Sequence, residues 1–213
     1  MPDILGWIAG HTAIVARTSQ EHVILSLAAI GAVLLIAIPT GIGLARQEHL
    51  ATPVVAAVNA LRTVPSLALL AIMLPVLGTG FLPSLVALTL YGLPAVLVNT
   101  LVGIREVDRE VVEAARGQGL SERQILSRIT LPLASPVIVA GIRTAAVQIV
   151  SAATLAVFIG GGGLGELISS GLGLMDMAQL MTGALLVALH AILTEALLAA
   201  AQFGLGYRLG TAR

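Results

Sequence analysis

Forty-two consecutive residues, 63 to 104, pass without one charged side chain. One helix crosses about 30 Å of hydrocarbon with about 20 apolar residues, so a stretch of this length suits lipid better than a soluble core. Backbone polar groups in lipid must be satisfied within the segment, which makes helix the expected form of such runs. Charge gathers instead in one place: ten of the eleven cationic and eleven acidic residues fall between Arg105 and Arg128. The expected fold is an all-α membrane bundle carrying one elaborated aqueous loop, 105 to 132.

The chain of 213 residues, 57% hydrophobic, has room for five or six spans in a single domain. Five are expected, at about 22–45, 51–77, 82–104, 133–159 and 178–205. The run from Val23 to Ala45 is too long for the core of a cleaved signal peptide and reads as an uncleaved first span. Arg62, Pro65 and Pro75 interrupt the second, and Gly78-Thr79-Gly80 with Pro83 turns the chain into the third. All eleven cationic residues are arginine. With five spans, Arg46, the 105–128 island and the tail with Arg208 and Arg213 share one face, which the positive-inside bias makes cytoplasmic and which leaves the N-terminus outside. Six spans, made by splitting 51–77 at Pro65, would scatter these arginines over both faces. A formal charge of zero gives no basic field for nucleic acid, and without cysteine there are no disulfides or thiolate metal sites.

Within the island, Asp108 is placed to cap a first helix with Glu110 in its first turn, and Gly119 to close it in the left-handed conformation. Ser121 and Gln124 have capping-box spacing for a second helix, flanked by Leu120 and Ile125 at staple positions. Ala114 and Ala115 leave the first helix slim beside the charge of Glu113, a shape suited to docking. The plainer alternative is a solvated amphipathic loop.

The series Glu113-Ala114-Ala115, Gly119, Ile129 and Leu131-Pro132 resembles the EAA loop of permease subunits of bacterial ABC importers at every motif position. Further stretches resemble the osmoprotectant branch, which imports glycine betaine, choline, carnitine and related solutes. They are Arg62 to Leu70, Leu93-Pro94 with Asn99-Thr100, Leu131 to Ala134 with Pro136, Ala140 to Ala145, and Phe158 through Gly165. The resemblance covers roughly residues 22 to 205. It implies a MetI-like type I bundle whose EAA residues Glu113, Ala114, Ala115 and Gly119 seat in a cytoplasmic ATPase subunit. ATP and Mg would sit on that partner, and a second permease copy and an extracytoplasmic binding protein would complete the assembly. Methionine and other amino-acid permeases share the loop, so the substrate stays open between these classes.

No phosphate-cradling motif or catalytic set occurs, since the glycines at 160 to 165 lack a following lysine. Gly160, Gly161, Gly162, Gly163, Leu164, Gly165 and Glu166 are candidates for a binding-protein dock or outer gate, with Asp176 as a second rim charge; a tight turn is the plain reading. Arg62, Arg143 and Glu195 fall inside expected spans, where an unpaired charge costs about 3 kcal/mol. Glu195 is expected to pair with one of the arginines, either as a lock or on the solute path. Pro65 and Pro94 are candidate helix breaks, and Asn59, Asn99 and Gln148 candidate interhelical bonds. Six aromatic residues are too few for a cage around a quaternary ammonium, which places high-affinity recognition elsewhere. Two rival classes remain. An intramembrane serine protease would use Ser169 or Ser170 with His190, but no glycine-flanked nucleophile motif surrounds either serine. A passive carrier would leave an EAA loop without purpose.

Overall fold

A computed structural model describes residues 3–208, with side chains as far as residue 204; Arg213 and the side chain of Arg208, expected in the tail, lie outside the described residues. Those residues form helices and connecting turns without a strand. They run α1 (Ile4–Gly10), α2 (Thr12–Ala45), α3 (Glu48–Leu61), α4 (Ser66–Leu77), α5 (Phe81–Arg105), α6 (Arg109–Gly117), α7 (Glu122–Ile125), α8 (Leu131–Ala152), α9 (Gly165–Gly173) and α10 (Met177–Arg208). A π-helical turn, Leu126–Thr130, joins α7 to α8, and a 3-10 segment, Ala153–Ile159, extends α8.

The core follows from helical periodicity. Leu25, Ala29, Val33 and Ala37 of α2 make a buried stripe at three- and four-residue spacing, against Leu88, Ala95 and Val96 of α5 and Ala145, Ile149 and Ala152 of α8. Small residues let the backbones close up: a Cβ on Gly141 of α8 would lie 2.8 Å from the Ala95 carbonyl of α5. A second cluster, Leu69 and Leu70 with Ala87 and Ile159, packs α4 against α5 and the 3-10 segment.

Bonds between distant residues sort the bundle into two ends. At one, Arg105 donates to the Leu44 carbonyl at 3.5 Å, joining the C-terminal ends of α2 and α5 to the island. At the other, the Gly80 N–H reaches the Ile159 carbonyl at 2.7 Å, and the Gly163 N–H reaches Glu21 at 3.0 Å. Between Arg46 and Gly80 the chain therefore travels from the island end to the glycine-loop end. It does so as α3 and α4, bent by 96°. With the long helices, that makes five passages.

Three expected boundaries differ. The second span, 51–77, is not a rod: Arg62 to Pro65 is a corner, where Pro65 offers no N–H and biases the preceding residue away from helix. The fourth helix starts eleven residues before 133, because Glu122–Ile159 is one continuous helical rod of 38 residues. Pro132 lies within it and ends nothing; the Leu131 N–H reaches back to Leu126, a widened turn that relieves the clash of the Pro132 ring with the Arg128 carbonyl. Pro94 is likewise buried inside the unbroken α5. Finally α2 begins at Thr12 and, at 34 residues, is about 51 Å long, well beyond the roughly 30 Å of hydrocarbon.

Candidate functional site

At the island end, each turn is shaped by a neighbour in sequence. The Asp108 carboxylate accepts from the Glu110 N–H at 2.8 Å and starts α6. α6 closes in a Schellman turn, with Gly119 at φ +83° and the Leu120 and Gly119 N–H groups bonded to the Ala115 and Arg116 carbonyls at 3.3 and 3.0 Å. Ser121 and Gln124 then form a reciprocal capping box at the start of α7. These are the caps that the residue types and spacings predict.

The face that α6 offers is narrower than two alanines suggest. Ala115 is buried, while Glu113 and Ala114 are exposed, so the outward surface is one charge beside one methyl. Glu113 is not free: Arg116 donates from Nη1 to its Oε1 at 2.6 Å and from Nε to Glu122 at 2.9 Å. Glu122 first and Glu113 second hold the Arg116 guanidinium above the ordinary arginine pKa. Sequence reasoning passed over Arg116 and Glu122; the i, i+3 spacing of Glu113 and Arg116 was the available signal. Through this bridge α6 is tied to α7, and through α7 to the 38-residue rod. Ile129 lies in its π-helical turn and Leu131 and Pro132 follow directly. A cavity of about 520 Å³ opens beneath α6, lined by Glu113, Arg116 and Arg105 among others.

At the opposite end the glycine loop is packed from outside itself. Gly160 is exposed, whereas Gly163, Leu164 and Gly165 are buried. A Cβ on Gly161 would meet Ser84 at 2.3 Å, and one on Gly165 the Thr154 carbonyl at 2.0 Å. Gly162 and Gly163 hold positive φ while Glu21 and His22 of α2 press against them. Arg17 then clasps both elements, bonding Glu21 at 2.8 Å and Glu166 at 2.7 Å. Asp176 accepts from the Ala178 and Gln179 N–H groups and caps α10. Of the expected docking set, Gly160, the outer edges of Gly161 and Gly162, and Glu166 are within reach of a partner, and the remainder is packing.

Within the bundle, Arg143 of α8 pairs with Glu195 of α10, and Gln202 accepts from the same guanidinium. Arg62 is not part of this: it lies exposed at the α3–α4 corner and makes no ion pair among the described residues. Asn99 donates to the Ala95 carbonyl of its own helix at 2.7 Å, facing Gly141. His190 Nδ1 bonds the Leu186 carbonyl, with the His22 ring 5.9 Å away, and Ser169 bonds the Glu166 carbonyl. Among the described residues, no serine is a hydrogen-bond partner of His190.

Comparison with known proteins agrees with this architecture. The family described as "Binding-protein-dependent transport system inner membrane component" matches residues 35–209. The carnitine transport permease OpuCB of Listeria monocytogenes is 41% identical over 186 residues, 87% of this chain and 84% of that one. The choline transport system permease OpuBB of Bacillus subtilis is 42% identical over 184 residues, covering 86% and 85%. Among solved structures, a chain of the MetNI methionine ABC transporter superposes with a TM-score of 0.82 at 21% identity over 96% of this chain and 99% of that one. An all-helical bundle, an EAA helix held on a continuous membrane rod, and a family match across most of the sequence lead to one conclusion: this chain belongs to the family of binding-protein-dependent transport system inner membrane components, the ABC importer permeases.

Proposed function

We propose that the chain is the membrane-spanning subunit of an ATP-driven importer for quaternary ammonium osmoprotectants such as glycine betaine, choline or carnitine. A cytoplasmic ABC ATPase holds ATP and Mg, an extracytoplasmic protein captures the solute, and a second permease, identical or paralogous, completes the pathway. The observation that carries the coupling role is α6 itself: an exposed Glu113 and Ala114 on a capped helix, tied by Arg116 to the rod Glu122–Ile159. Motion of an ATPase seated on α6 reaches the membrane through that rod, and the bundle alternates between inward- and outward-open states. Clustering of Arg46, Arg105, Arg109, Arg123 and Arg128 at the island end supports placing that end in the cytoplasm and the N-terminus outside. The names of the carnitine and choline permeases among its relatives support the solute class.

Radiolabelled glycine betaine and choline uptake tests this reading, in cells expressing the permease with its cognate ATPase and binding protein, beside an ATPase-dead control. Uptake lost in the control is expected. Accumulation of methionine or another amino acid instead would move the substrate, and uptake indifferent to the dead ATPase would overturn the mechanism.

A further inference from the structure

The most unusual chemistry inside the bundle is the pair Arg143 and Glu195. A charge pair that only locks two membrane helices is best shielded by them, because exposure to hydrocarbon is costly for both partners. This pair leaves 29% and 41% of its side-chain surface open. Both residues line a cavity of about 740 Å³ between α8 and α10, within the range of about 300–1,000 Å³ typical of small-molecule sites. Among the described residues they are the only ionisable side chains along it. Arg143 bonds Glu195 from Nε at 3.1 Å and again from Nη2, both times to Oε1. The second carboxylate oxygen has no hydrogen-bond partner among the described residues.

A second observation extends the site. Thr144, Gln148 and Ser151 are exposed on the same side of α8, at intervals of four and three residues. Val147 and Gln148 also line a neighbouring cavity of about 350 Å³, which takes in Ser151, Thr154 and Tyr91. From Arg143 to Thr154 this polar wall runs about 16 Å along the helix, toward the glycine-loop end. A hydrophilic stripe on a membrane helix belongs against water or protein rather than lipid.

We infer that the Arg143–Glu195 pair and the cavity beside it form a low-affinity subsite for zwitterionic solutes that carry a carboxylate and a quaternary ammonium. The solute carboxylate takes the Arg143 fork, and the ammonium, with no hydrogen to donate, lies against the Glu195 carboxylate as a counter-charge. The internal pair is a template of the same two charges, so a zwitterion exchanges one ion pair for two without leaving a charge alone in the membrane. A cation without a carboxylate uses Glu195 only. This deepens the transport reading above and rests on it.

The test uses the permease–ATPase complex in nanodiscs, without binding protein, titrated with glycine betaine and with choline and read by saturation-transfer NMR. Arg143→Gln is expected to raise the Kd for glycine betaine by about tenfold or more while moving that for choline by less than about threefold, as expected for loss of one charge-assisted bond. The double variant Arg143→Gln/Glu195→Gln leaves no lone charge; it should assemble normally and lose both solutes. A pure lock would weaken both solutes equally in Arg143→Gln, or leave glycine betaine binding intact in the double variant, and either result overturns the subsite. Uptake by the complete wild-type transporter in proteoliposomes separates the two readings. Glycine betaine uptake without any NMR-detected binding would sink the subsite and spare the transport reading; no uptake of any quaternary ammonium would sink both.

Discussion

At the island end, α6 and α7 are shaped by groups two to five residues apart: Asp108 on Glu110, the Gly119 turn, Ser121 with Gln124. At the glycine-loop end, the bonds that fix residues 163 and 166 come from Glu21 and Arg17, which are 142 and 149 positions away in sequence. The first construction is nearly self-sufficient, so a partner can grip it as a unit whose motion passes to the bundle through the rod. The second is part of the bundle's packing and cannot be altered without altering three helices. Function that depends on rigid-body motion suits the first, and function that depends on closing one end of the protein suits the second.

The largest effect should come from overfilling the glycine-loop end. In Gly165→Ala the new methyl would lie 2.0 Å from the Thr154 carbonyl oxygen, a backbone atom that cannot rotate away. The expected penalty is about 3 kcal/mol, at the high end for overpacking. Fluorescence-detected size exclusion of detergent-solubilised membranes should show little monodisperse permease. Normal recovery would mean that this end yields more easily than the Thr154 contact implies, and the contrast between the ends would weaken.

Reversing charge at the island should do the opposite: preserve the protein and remove its work. Glu113 is exposed and its described partner is Arg116, so Glu113→Arg should accumulate normally. ATP-driven uptake should fall at least about tenfold and ATPase co-purification should drop with it, as when a charge is reversed within an interface. Unchanged uptake and association would remove the coupling role from Glu113.

The same contrast explains what the sequence made readable. Asp108, Gly119, Ser121 and Gln124 announce their roles because capping chemistry acts over a few residues. The Arg143–Glu195 pair could be anticipated because lipid leaves an intramembrane charge few options. The glycines at 160 to 165 were visible as composition, but nothing near them in sequence names Glu21, Arg17 or Ser84 as their partners. Pro65 marked a break but not its 96° angle, nor that α4 beyond it packs on α5 and the 3-10 segment. Pro94 and Pro132 carried the same local signal and broke nothing: α5 runs on through the buried Pro94, and a π-helical turn precedes Pro132.

The finest comparison lies inside the island, between two glycines two residues apart. Gly119 has φ +83° and open space around it, so Gly119→Ala meets no clash and suffers only the left-handed backbone, about 1–2 kcal/mol for a residue with a Cβ. Gly117 is the last residue of α6, and a Cβ there also meets nothing within 4 Å. Its backbone is helical, so Gly117→Ala should stabilise α6 by about 0.5–1 kcal/mol. Thermal melts of the purified permease should therefore move in opposite directions for the same chemical change, with the Gly119 variant the larger of the two. Since α6 is one short element of a large bundle, the shift should be clearer in amide hydrogen exchange over residues 109–120, which relative to wild type should be slower in Gly117→Ala and faster in Gly119→Ala. If both variants moved exchange the same way, the turn would owe its shape to contacts beyond the island, and the self-sufficiency that suits α6 to rigid-body coupling would be lost.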